Sequence, residues 1–248
     1  MKIGKLNVNN KILLIIIILF GLALRLIFEV GMVGSGESPI DAYRVYMGDF
    51  NLSIEYQTTA ARIGHVYPTA LFYKLFGVNE FSAYLYSLIL SIASILLIYL
   101  LGITLFDEKV GIISAFLISF FPLNVNYATH LYPDLSQAFF TGLAVYFFLI
   151  GENKTKISQQ IIWYSLTGII IGLSFLTKES GITIFLFLGL FVLYKFLYKK
   201  ERIRLTYAAI LIIFIAILVL QLVHSYVVSG DYLLRFHMIE KYYYDTIP

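Results

Sequence analysis

Seven apolar runs set the terms on which this chain can fold. They occupy residues 12–30, 81–101, 110–125, 135–150, 161–177, 182–197 and 205–228. Most approach the roughly 20 residues that a helix needs to cross the hydrocarbon of a bilayer. The runs are apolar all round rather than along one stripe, which is not the pattern of a surface helix in a water-soluble bundle. Inside lipid every backbone N–H and C=O must be paired within its own segment, so runs of this kind fold as helices. The sequence therefore predicts an all-α membrane protein of about seven transmembrane helices, with 110–125 the shortest. Composition agrees, because 60% of the 248 residues are hydrophobic and only 13% are charged, too few to coat a soluble domain.

Orientation follows from the basic residues of the short loops. With the N-terminus inside, Lys2, Lys5, Lys11, Lys109, Lys154, Lys156, Lys195, Lys199, Lys200, Arg202 and Arg204 face the cytoplasm, 11 of the 18 Lys and Arg. Of the 15 acids, only Asp107, Glu108, Glu152 and Glu201 join them. The expected topology is N-in and C-out. A net charge of +3 then reflects anchoring beside an anionic leaflet, not nucleic-acid binding. The first run is long and lacks a small-x-small cleavage site, which reads as a retained signal anchor. With no cysteine, thiol catalysis, disulfides and Cys-based zinc sites are excluded.

The chain reads as one polytopic membrane domain over 1–248, with residues 31–80 as the first extracytoplasmic loop and 229–248 as an outer C-terminal tail. Within the loop, Ser38-Pro39-Ile40-Asp41 resembles a capping box opening a helix through Met47. A second short helix is expected over 58–63, ended by Gly64, and a short apolar stretch over 71–77 is punctuated by Gly77. These are interfacial helices. Asn79 is placed to cap the second span.

In a chain this apolar, each charged group near a span end needs an account. Asp41 either caps its helix or does chemistry, and Asp134, opening span four after Pro133, poses the same choice on the same side. Lys178 lies in a break of a few residues between two outer span ends; it either snorkels with Glu179 or meets an anionic ligand. Arg25 has Glu29 at i+4 and is read as its structural ion-pair partner. Arg62, His65 and Arg44 are further candidates. Four histidines and no cysteine argue against a closed zinc site, whereas a divalent cation held by Asp41 and Asp134 is chemically conceivable. Asn51-Leu52-Ser53 fits an N-glycosylation sequon.

Arg25, Asp41-Ala42-Tyr43, Tyr67-Pro68-Thr69-Ala70-Leu71-Phe72-Tyr73-Lys74-Leu75-Phe76-Gly77-Val78-Asn79-Glu80, Pro122, Tyr132-Pro133-Asp134 and Leu176-Thr177-Lys178 follow one another in a recognisable order. The chain resembles the GT-C superfamily of membrane glycosyltransferases, in the branch of the dolichyl-phosphate-mannose–protein mannosyltransferases and the aminoarabinose transferases. The resemblance implies transfer of a sugar from a polyprenyl-phosphate carrier to an acceptor hydroxyl of a protein, lipid or glycan on the extracytoplasmic face, with inversion. It implies Asp41 as general base, Asp134 as the second acidic residue and Lys178 at the donor phosphate; the charge that develops on a departing phosphate adds Arg62 as a second candidate there. Two other readings stay open: a non-catalytic or truncated subunit that binds polyprenyl phosphate or pairs with a partner chain supplying further helices, and a transporter, for which Gly168, Gly172 and Gln221 offer polar or flexible points in the spans.

Overall fold

The computed structural model describes residues 8–29, 38–49 and 62–246. The sequon at 51–53 and the start of the helix expected over 58–63 lie outside them. Every regular element among the described residues is a helix: α1 (Val8–Ile27), α2 (Ser38–Tyr46), α3 (Ile63–Phe76), α4 (Glu80–Leu105), α5 (Glu108–Ser119), α6 (Pro122–Asn126), α7 (Pro133–Glu152), α8 (Ile157–Thr177), α9 (Ile184–Leu197), α10 (Ala208–Ser229) and α11 (Leu234–Thr246), with 3-10 turns at Glu179–Thr183 and Leu205–Tyr207. The protein is an all-α, multi-pass membrane protein.

Among the described residues, six segments are long and apolar enough to cross a bilayer: Val8–Ile27, Glu80–Leu105, Pro133–Glu152, Ile157–Thr177, Glu179–Leu197 and Leu205–Ser229. The run at 110–125 does not form a seventh straight span. Pro122 forces the residue before it out of helical geometry, and Phe121 is extended at φ −61°, ψ 120°. The run divides into α5, 12 residues and so about 18 Å long, and the single turn of α6. Together they return the chain along α4, from Gly111 against Gly102 to Asn124 against Ser91.

That break explains Arg25. The end of α5 leaves carbonyls without intrahelical partners, and the guanidinium of α1 fills one of them. Arg25 Nη1 donates to Ser119 O (2.9 Å) and Gly21 O (2.7 Å), Nη2 to Asn124 Oδ1 (2.5 Å) and Nε to Ser91 Oγ (2.6 Å). Arg25 is fully buried on neutral oxygens from four helices. The expected pair with Glu29 does not form; Glu29 is hydrogen-bonded to Tyr84. At i+4, Glu29 lies beyond the last turn of α1, whereas the broken helix offers acceptors within the bundle.

The second correction concerns the first loop. Gly64 does not end a helix. It lies inside α3, where a Cβ would come within 2.7–2.9 Å of Thr177 and Leu176, so its absence lets α3 touch the end of α8. Gly77, at φ +79°, is the residue that ends α3. Asn79 caps α4 as expected, accepting from Ser82 N at 2.9 Å in a full capping box. Gly168 and Gly172 are packing residues as well: they let α8 approach Ile210 and Ile217 of α10, as small residues four apart do between membrane helices. Around that seam Phe148, Tyr164, Ile171, Phe175 and Phe214 form the largest core cluster.

Candidate functional site

The site grows from the junction of α3 with α8. α8 stops at Thr177, and Lys178 is extended at φ −153°, ψ 142°. Gly181 then lies on the backbone of Ser174 and Phe175, where a Cβ would meet atoms at 2.5–2.7 Å. This tight return sends consecutive charged side chains to different partners. Lys178 forms an ion pair with Asp134, which Pro133 places in the first turn of α7. Glu179 instead accepts from Arg62, at the N-cap of α3 (3.4 Å), and from Arg235 of α11 (3.0 and 3.1 Å). The Lys178–Glu179 pair that neighbouring positions suggested is thus replaced by two separate pairs.

Arg235 is 1% exposed. Its Nη2 also donates to Phe175 O at 2.7 Å, and its guanidinium lies 4.7 Å from the Phe175 ring centroid. Three cations (Lys178, Arg62, Arg235) therefore meet two carboxylates (Asp134, Glu179), an excess of one positive charge. Buried guanidinium nitrogens within this group remain unpaired: Arg62 Nε and Arg235 Nη1. Such donors, held in place and unspent, suit an anionic group.

His65 is no surface residue. It is 1% exposed, its Nδ1 stands 3.4 Å from Ser136 Oγ of α7, and its ring is hydrogen-bonded to the Leu131 backbone. Burial, reinforced by the charge of Arg62, lowers its pKa to about 4, so the imidazole is neutral at pH 7.

Asp41 lies in the first turn of α2 and is 4% exposed. Its neighbour Ala42 packs against Val66, Tyr73 and Ala83. α3 thereby serves both halves of the region: Val66 holds α2, and His65, about 100° around the helix, faces α7. Arg44 is half-buried on the last turn of α2. The structure joins Lys178 to Asp134 and Arg62 to Glu179, and brings α2 with Asp41 to the same end of the bundle. Tyr67 Oη, 2.7 Å from His224 Nε2, ties α3 to α10. Among the described residues no three His, Asp or Glu side chains cluster as metal ligands would.

Glu179 and Arg235 were missed as site residues. Arg235 belongs to the stretch read as an outer tail; the apolar pair Leu234 and Met238, at i and i+4, was the available sign that this stretch packs as a helix.

A family model described as dolichyl-phosphate-mannose-protein mannosyltransferase matches residues 63–223, more than half of the chain. The matched region includes His65, Asp134 and Lys178, and it leaves out Asp41, Arg44, Arg62 and Arg235. No curated protein sequence matches. Two solved structures share the fold, each with a TM-score of 0.68 and 18% identity over 96% of this chain. One is the oligosaccharyltransferase of Archaeoglobus fulgidus in the apo form, and the other is the archaeal oligosaccharyltransferase AglB from Archaeoglobus fulgidus in complex with an inhibitory peptide and a dolichol-phosphate. The chain spans about a third of their length, 34%.

Proposed function

The chain belongs to the dolichyl-phosphate-mannose-protein mannosyltransferase family, and from that premise we propose that it serves a glycosyltransferase that moves a sugar from a polyprenyl (dolichyl) phosphate to an acceptor hydroxyl on the extracytoplasmic face. The observation that carries this reading is the cation-rich group of Lys178, Arg62 and Arg235 at the end of the bundle to which α2 brings Asp41. The donor's lipid tail stays in the bilayer while its phosphate meets these side chains. The acceptor oxygen attacks the anomeric carbon, the bond from that carbon to the phosphate oxygen breaks, and the polyprenyl phosphate departs with the electron pair. Asp41 takes the hydroxyl proton as the new glycosidic bond forms. Lys178 and Arg62 stabilise the charge gathering on the phosphate, most strongly where water is scarce. A single displacement of this kind inverts the anomeric carbon. Asp134 holds Lys178 in position and helps orient the acceptor, which is a protein, lipid or glycan.

The test is transfer by the purified chain from a polyprenyl-phosphate sugar. Asp41→Asn is expected to lower the rate by about 10²–10⁴-fold while donor binding persists. Transfer at the parent rate would overturn the role of Asp41. Donor retention without any transfer by the parent chain would select a second reading, a donor-binding module that works with a partner chain.

A further inference from the structure

At the opposite end of the bundle from Lys178 lies a second polar group. Glu152 Oε1 accepts from Tyr164 (2.7 Å) and Tyr207 (2.6 Å), and Oε2 from Lys195 (2.6 Å), which also binds Glu201 at 2.6 Å. Arg204 reaches into this group with Nη1 alone, donating to Glu152 O (3.2 Å) and Tyr164 Oη (3.3 Å). Its side chain is 28% exposed, so the other guanidinium donors stay accessible.

Those donors stand at the rim of a groove of about 720 Å³ between the start of α8 and the start of α10. Ile161, Ala208, Ala209 and Ile212 line its apolar part, which exists because the two alanines leave room between bulkier neighbours. The other polar rim residues are already engaged: Gln160 accepts from Thr206 (3.0 Å) and donates to Lys154 O (2.7 Å). Both nearby carboxylates, Glu152 and Glu201, are held by Lys195. Around the groove Lys154, Lys156 and Arg202 add positive charge, and the acids nearest them in sequence, Glu152 and Glu201, are the two that Lys195 holds.

We propose that this groove binds an anionic phospholipid of the surrounding bilayer. One acyl chain lies along Ile161, Ala208 and Ile212, and the phosphate oxygens accept from the remaining donors of Arg204, with the flanking lysines adding attraction. The match is one of charge and depth: an apolar cleft that opens to lipid at a helix end, with an arginine anchored on one nitrogen and open on the others. The site lies away from the sugar-transfer residues and does not depend on their roles.

Native mass spectrometry of the purified chain with phosphatidylglycerol or phosphatidylcholine of matched acyl chains tests it. Retention of phosphatidylglycerol is expected to exceed that of phosphatidylcholine by about tenfold. Arg204→Gln should erase the difference. Ala208→Phe, which fills the groove from an exposed position and leaves Arg204 and its bonds intact, should lower phosphatidylglycerol retention as well, and it decides the matter if Arg204→Gln does not fold. Equal retention of the two lipids, unchanged retention in Ala208→Phe, or preferential retention of polyprenyl phosphate would each overturn the proposal.

Discussion

Pro68 and Tyr86 are joined through an atom that is missing. Proline has no N–H to give the carbonyl four residues before it, and Tyr86 Oη of α4 donates to that carbonyl, Gly64 O, at 3.2 Å. The gap in one helix thus becomes a tie to the next, at the residue where α3 touches α8. Tyr86→Phe is expected to cost about 1–2 kcal/mol by leaving the carbonyl unpaired. In a Pro68→Ala background, where residue 68 regains its N–H, the same change should cost less than half as much. Thermal unfolding of the four proteins in detergent gives the coupling, and additive costs would refute it.

Arg25 donates to Gly21, Ser91, Ser119 and Asn124 with no carboxylate among its partners. Arg25→Met strands those oxygens in the bundle and should cost about 3 kcal/mol or more. Glu29→Gln keeps a hydrogen-bonding group for Tyr84 and should stay within about 0.5 kcal/mol. Comparable losses in the two variants would restore the ion pair that the i+4 spacing suggested.

Lys178 and Asp134 have side chains 29% and 45% exposed, so their pairing contributes about 1 kcal/mol or less to stability. Lys178→Gln should leave the unfolding midpoint nearly unchanged while weakening retention of a polyprenyl-phosphate donor by about tenfold or more. A variant that binds donor as well as the parent would remove Lys178 from the phosphate site.

His65 makes stability depend on pH. Its imidazole takes a proton near 6.5 when unfolded and only near 4 when folded. The unfolded state therefore binds more protons in that window, and stability present above about pH 6.5 falls as the pH drops toward 4. The full effect is on the order of 3 kcal/mol. His65→Asn should flatten this part of the profile relative to the parent, measured as unfolding midpoint against pH; parallel profiles would show that His65 titrates normally.

Several features were readable from local chemistry. The α2 helix at Ser38–Tyr46, the Asn79 cap and six of the seven runs in nearly their final bounds depend on residues within a turn or two of one another. Pro122 was legible as a stop, but not as a break that hands Ser119 and Asn124 to Arg25. Gly64 looked like punctuation because a glycine at the end of a short helical stretch usually is; only the close approach of α8 shows it as a contact surface. Likewise, adjacency proposed Lys178 with Glu179, and the turn over Gly181 divided them.

The amino-acid sequence alone determined that this chain lives in a membrane as apolar helices, because lipid leaves the backbone of such runs no other way to satisfy its hydrogen bonds. It also placed Asp41 in the first long loop and Asp134 and Lys178 at span ends. Tertiary structure alone decided which charges meet: Arg62 finds Glu179 across 117 residues, and Lys178 finds Asp134 across 44. An ion pair depends on distance in space, and no local pattern encodes which helix end will stand within a few ångströms of another.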